Sequence, residues 1–200
     1  MVMTVKQVLA RALSATGQGT VYWAGAGGQD PRAASPTQAL AIGREWPGLP
    51  AAQQAALKPL AEAAGLDLKD PNLVAPACDC SGYVCWALGI ARHFSSPAGD
   101  VWLNTDNIWQ DACGPARQFR KTALAEVGGL VVYPKQGSGE TYGHVGLVTE
   151  VGADGHATRI AHCSASNFME APHDAIKVNA AEAFQRQPKS IYAWFLAMPR

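Results

Sequence analysis

Apolar and polar positions divide the chain into a helical first half and a β-rich second half. Residues 4–16 (TVKQVLARALSAT) set Val5, Val8, Leu9 and Leu13 at i, i+3, i+4 and i+8, which predicts an amphipathic helix that Gly17 and Gly19 stop. Thr20–Trp23 is a short β-prone run followed by AGAGG. Residues 29–77 are rich in proline and alanine and read as loops. The exception is a helix over 51–64 that Pro59 should kink or split. This stretch reads as an insertion within a single domain spanning 1–200. Residues 80–92 (CSGYVCWALGIAR) predict a buried helix with Val84, Ala87, Leu88 and Ala91 toward a core, and 95–118 reads as loop. From 127 the pattern becomes β. VGGLVVYP, HVGLVTEV, ATRIAHCSA and SIYAWFLAMP are expected strands, and ADG at 153–155 is a hairpin loop with Gly155 in the left-handed position.

Composition narrows the function classes. The 200 residues are 48% hydrophobic and 16% charged, with no net charge and six tryptophans, so a packed core is expected rather than disorder. A neutral chain with pI near 6.9 lacks the basic surface that nucleic-acid binding needs. No apolar run is long enough to insert in a membrane. Lys6 and Arg11 interrupt any export signal at the start. The expectation is a protein made in the cytoplasm that stays there, leaves by a non-classical route, or has lost a leader. Five cysteines is an odd number, and Cys78 and Cys80 are too close for an ordinary disulfide, so free thiols are expected.

The chemistry concentrates at Asp79-Cys80-Ser81-Gly82, directly before the buried helix. A cysteine at a helix start feels the positive end of the helix dipole, which lowers its pKa, and first-turn amides can hold an oxyanion. Such a nucleophile needs a base and a group that orients the base. His144 opens one strand and His162 nearly closes the next. If ADG is the hairpin loop and paired numbers sum to 308, His162 lies opposite Gly146, two residues from His144. Both rings then project from one sheet face over a residue with no side chain, and a helix bearing Cys80 packed on that face completes Cys80–His144–His162. Singly, each residue has a plainer reading. Cys80 could be a buried thiol, His144 a strand-end residue, His162 a core histidine, Tyr22 a packing residue, Asp79 a helix cap and Ser81 a first-turn filler. Zinc on Cys78, Cys80, Cys85, His162 and Cys163 fits poorly, because C-x-C and adjacent His-Cys lack the usual paired spacing. Trp102, Asn104 and Trp109 either border the cleft or cover the core.

These motifs, in this order, resemble the NlpC/P60 family of papain-like cysteine peptidases. DCSGY at 79–83 is similar to the nucleophile motif, GHVGLV at 143–148 to the base-bearing strand, and IAHCSAS at 160–166 to the strand of the third polar residue. ALSATGQGTVYWAGAGG is similar to the upstream segment that carries the family's tyrosine, and YAWFLAMPR fits the last strand. The resemblance covers roughly 4–28 and 78–200. Gly128-Gly129 stands where Gly-Asp is usual, YWAGAGG departs from YVWGG, and the 29–77 insertion is long. It implies an α+β papain-like fold, a central antiparallel sheet and the nucleophile at a helix N-terminus. It also implies Cys80 as nucleophile, His144 as base, His162 as orienting group, and Tyr22, Asp79 and Ser81 at the substrate site. No metal or organic cofactor is implied. The implied reaction is hydrolysis of amide bonds in peptidoglycan stem peptides. Without a leader this would suit a toxin delivered by a type VI or phage-tail-like system to the periplasm, with an immunity protein as partner. The alternatives are an intracellular amidase or acyltransferase with the same triad, or an inactive binding module of the same fold.

Overall fold

The computed structural model describes residues 3–96 and 99–200. Helix α1 (Val5–Ser14) starts at Thr4, whose hydroxyl accepts from the Gln7 amide while Gln7 answers with a bond from the Thr4 amide. This reciprocal cap satisfies two otherwise orphaned donors. Its buried face centres on Val8 and Ala12, and Leu13 is 45% exposed. At 100° per residue, Ala12 returns to the Val5 line and Leu13 overshoots it, so Leu13 does not join the stripe as expected.

The proline- and alanine-rich stretch is more ordered than its composition suggests. Strand β1 (Val21–Tyr22) is followed by β2 (Gln38–Leu40), α2 (Ile42–Glu45), a 3-10 turn at Trp46–Gly48, α3 (Ala51–Ala63) and β3 (Ala75–Cys78). The three strands form a small sheet in the order β1-β3-β2, with β1 parallel and β2 antiparallel to β3. Neither β2 nor β3 was expected, because QAL and APAC carry too few large apolar residues to show a period. Pro59 does not split α3, which runs through it and buries Leu57, Leu60 and Ala61. A proline removes one bond of the ladder, and here the packed face sustains the turn.

Strand β3 leads straight into α4 (Cys80–Leu88), whose nine residues are all buried. Gly89, at φ 68°, ends it in the left-handed conformation. The chain continues through β4 (His93–Ser96), β5 (Gly99–Trp102) and α5 (Thr105–Cys113). That last helix falls in a stretch read as loop. Asn104 caps it, and its buried face is only Thr105, Ile108 and Ala112, too small to register as an apolar stripe. Pro97 and Ala98 of that stretch lie outside the described residues.

The remaining elements are β6 (Phe119–Thr122), β7 (Leu130–Tyr133), β8 (His144–Val151), β9 (Ala157–Cys163), α6 (Ala165–Met169), β10 (Ile176–Ala180), α7 (Glu182–Gln185) and β11 (Ile191–Phe195). Six strands form one antiparallel sheet in the order β10-β9-β8-β7-β11-β6. The unexpected strands β6 (FRKT) and β10 (IKVNA) take its two edges, where charged residues blunt further pairing. One face, with Val145, Leu147 and Ala161, joins Val84 and Leu88 of α4 in the main core. The other, with Val131, Val148 and Ile160, is covered by Phe184 of α7. The architecture is mixed α+β and compatible with a papain-like fold.

Candidate active site

The site begins with a crowded turn. The segment Ala24–Gly28 lies directly against the first turn of α4, with the Asp79 amide donating to Ala26 O at 3.0 Å. A Cβ at Gly28 would sit 2.3 Å from Gly82 O, and one at Gly82 would sit 2.7 Å from Ala26 O. The run AGAGG and the glycine of DCSG are therefore two halves of one close backbone contact. It fixes where α4, and so Cys80, begins.

A buried ionic network holds that turn. Asp79 Oδ1 accepts from the Gly82 amide at 2.8 Å and from Ser81 Oγ at 3.1 Å, and Oδ2 accepts from the Gly25 amide at 2.7 Å. Arg92, 1% exposed, also donates to Oδ2, to Ser81 Oγ at 2.9 Å, and to the carbonyls of Ala26 and Gly27 at 2.8 and 3.0 Å. Asp79 and Ser81, expected at the substrate site, line the cavity that contains Cys80, but their polar atoms are engaged within the protein. Arg92 was not singled out from the sequence. The signal was a lone cation closing the otherwise apolar run CWALGIAR.

The two histidines meet. Strands β8 and β9 pair Leu147 with Ala161 and Val148 with Ile160, numbers that sum to 308, and the ladder becomes irregular only at Glu150. His144 Nε2 and His162 Nδ1 are 2.8 Å apart. Gly146 makes the approach possible, since a Cβ there would lie 2.4 Å from Ile160 Cγ2 and 3.0 Å from His162 Cβ. Phe184 stacks on His144, with ring centroids 4.9 Å apart, and meets His162 edge-on at 5.4 Å. Asn167 Nδ2 donates to His162 O at 3.2 Å and to Ala175 O at 3.0 Å, which fixes the end of β9. Phe184 and Asn167 were also missed: Phe184 stands far from any motif in sequence, and Asn167, although it directly follows IAHCSAS, acts through backbone contacts that only the fold creates.

Cys80 reaches this pair differently from the expectation. Helix α4 packs on the Val145–Leu147 face, and strand alternation puts His144 and His162 on the opposite one. The meeting point is the end of β8, where the backbone of Val145, next to His144, and that of Ser81 favour the charged form of the Cys80 thiol. Tyr22, Ala24, Tyr142 and Gly143 border both the cavity with Cys80 and the one with His144 and His162. Trp102 and Asn104 line the former, while Trp109 lies apart, donating from its indole to Lys189 O.

Burial governs the protonation states. It pushes the Cys80 thiol well above its ordinary value, and the Asp79 carboxylate adds to the rise; Arg92 and these two backbone groups oppose it. Burial thus opposes the lowering expected of a thiol at a helix start. Burial lowers His144 well below the usual imidazole value, with His162 contributing, and brings His162 to about 4. The resting dyad is a neutral thiol beside neutral imidazoles.

The His162 shift has a stability consequence. Its folded pKa lies below the unfolded value near 6.5, so the unfolded chain takes up the proton first. The stabilisation is complete above about pH 6.5 and is lost as pH falls toward about 4. Urea denaturation of the wild type at pH 4.5 and pH 7 is expected to show a loss of which about 2.5 kcal/mol belongs to His162. His162→Asn should remove that share; an identical loss in the variant would contradict the assignment.

Among the described residues, no cluster of three or more His, Cys, Asp or Glu is placed to hold a metal ion, and no helix is long and apolar enough to cross a membrane. All five cysteines are free. No curated protein and no solved structure matches the chain. The family model of the CHAP domain matches residues 70–164, a little under half of the chain and the part that contains Cys80, His144 and His162. CHAP domains are typically cysteine peptidases or amidases, and the family suggests peptidoglycan as the substrate. Residues 70–164 are thus similar to the CHAP domain, and CHAP domains belong to the NlpC/P60-like group of papain-like cysteine peptidases and amidases.

Proposed function

We propose that this protein cleaves amide bonds in the stem peptides of peptidoglycan, with Cys80 as nucleophile, His144 as general base and acid, and His162 as the group that positions His144. The observation that carries the reading is the 2.8 Å contact between His144 Nε2 and His162 Nδ1 beside a cysteine at a helix start. With both imidazoles neutral, that contact holds one proton. When it sits on His144 Nε2, His162 Nδ1 accepts it and His144 Nδ1 is left with a lone pair for the thiol proton.

The reaction follows in two halves. Cys80 Sγ attacks the scissile carbonyl carbon as its proton passes to His144, and the oxyanion is met by the Cys80 amide at the first turn of α4. The C–N bond then breaks, the leaving amine takes the proton from His144, and a thioester remains. Water, deprotonated by His144, releases the acid and restores the thiol. Because the thiol starts neutral and desolvated, proton transfer accompanies attack instead of preceding it. Residues 29–77 are, on this reading, an elaboration of a single catalytic domain.

The test is digestion of purified peptidoglycan by wild type and Cys80→Ala, with products weighed by mass spectrometry. New fragments with wild type only are expected, and their masses identify the bond. Equal release by both proteins would remove Cys80 from the mechanism. No release by folded wild type would turn the reading to an intracellular amidase, an acyltransferase or an inactive binding module. The finer reading, a toxin acting in a competitor's periplasm and neutralised by an immunity protein, requires the same cleavage and meets its first test here.

A further inference from the structure

Two cavities adjoin at Tyr22, Ala24, Tyr142 and Gly143. One, of about 250 Å³, contains Cys80; the other, of about 310 Å³, contains His144 and His162 but not the sulfur. This division matches a division of the chemistry. The carbonyl carbon must lie at the sulfur, whereas the departing amine must lie where His144 can protonate it. The cavity with the histidines is therefore the place for the amine-side residue of the cleaved bond.

Helix α3 walls that cavity with Gln53, Ala56, Leu57 and Leu60. It lies at residues 51–63, before the CHAP match begins at residue 70. Leu57 and Leu60 are 3% and 4% exposed, so the wall is anchored in the core, and Ala56 is exposed at its surface. Among the described lining residues, the charged side chain is Glu140, which already accepts from Gln187 Nε2 at 2.8 Å. The face that α3 presents is thus aliphatic apart from Gln53, and the exposed Glu140 carboxylate stands off α3.

We infer that α3 builds the leaving-group subsite and selects an aliphatic residue on the amine side of the scissile bond. The inference rests on the amide hydrolysis proposed above and names the part of the chain that sets its specificity.

Ala56→Trp fills the subsite from an exposed helix position and should leave folding intact. It is expected to lower kcat/KM on peptidoglycan fragments at least about tenfold, chiefly through KM. Labelling of Cys80 by iodoacetamide should stay within about twofold. On synthetic stem peptides, wild type should prefer leucine over the neutral, similarly sized asparagine on the amine side by at least about tenfold. Unchanged kcat/KM in the variant, or equal rates on the two peptides, would overturn the inference. If wild type cleaves no peptidoglycan, the hydrolase reading fails, and the wall is read by labelling alone. Ala56→Trp should then slow chloroacetyl-leucinamide at Cys80 at least about tenfold relative to chloroacetamide. Equal slowing of both reagents would sink the subsite itself.

Discussion

Replacing His144 with alanine is expected to lower kcat/KM on stem-peptide substrates by at least about 10³-fold, without loss of fold. The size follows from the resting state. Burial keeps the Cys80 sulfur protonated, so little thiolate exists without a base to take the proton at the moment of attack. His144→Ala removes that base and also the acid that the leaving amine needs. His162→Ala should cost less, on the order of 10–10². It removes one hydrogen bond to His144 Nε2, and His162 is a neutral partner with no charge to stabilise an imidazolium. His162→Gln, whose carbonyl can still accept from His144 Nε2, should recover part of the loss. The pH profile supplies an independent check. His144 is held well below the ordinary imidazole pKa and the thiol well above its own. The acid limb of kcat/KM should therefore fall below pH 6.5, and activity should persist through alkaline pH until the thiol ionises. Activity of His144→Ala within tenfold of wild type, or an acid limb above pH 7, would contradict this assignment.

What was legible in the sequence is what short-range chemistry writes there. The strands β7, β8, β9 and β11 are short β-branched and aromatic runs between turn residues, and Gly155 marks the hairpin that sets the register of β8 and β9. From that register the His144–His162 contact follows by counting, because the pairing of Leu147 with Ala161 extends to Gly146 and His162. The buried helix α4 was legible because all of its positions are apolar or small. What did not show was anything carried by tertiary contact. Strand β3 is made of APAC and owes its conformation to β1 and β2 on either side. Helix α5 is held by its Asn104 cap and by Ile108 with two small residues, a pattern too faint to separate from loop. The side of the sheet that receives α4 was also out of reach. Strand alternation fixes which residues share a face, but which face a helix covers depends on the whole core.

Arg92 shows the same limit at the level of energy, and its replacement should have the largest effect on stability. Its guanidinium is 1% exposed and donates to Asp79, Ser81, Ala26 and Gly27, four groups that converge on the first turn of α4. Arg92→Met keeps much of the side-chain volume but leaves the Asp79 carboxylate buried without its counterion and two carbonyls without a donor. Breaking a buried pair from one side costs about 3–5 kcal/mol, because the remaining charge has lost its water and gained nothing in return. For a chain of this length that corresponds to a fall in Tm of roughly 10 °C. The double variant Asp79→Asn/Arg92→Met should be more stable than Arg92→Met alone. Asparagine removes the stranded charge and still caps a helix. Urea denaturation of the two single variants and the double decides the point. A loss under about 1 kcal/mol for Arg92→Met would mean that water or a local rearrangement satisfies Asp79 in its absence. The consequence for chemistry is direct. Asp79 precedes the nucleophile and caps the helix that carries it, so a loosened Asp79 moves Cys80 relative to β8. Arg92→Met should therefore lower kcat even at temperatures where the variant remains folded.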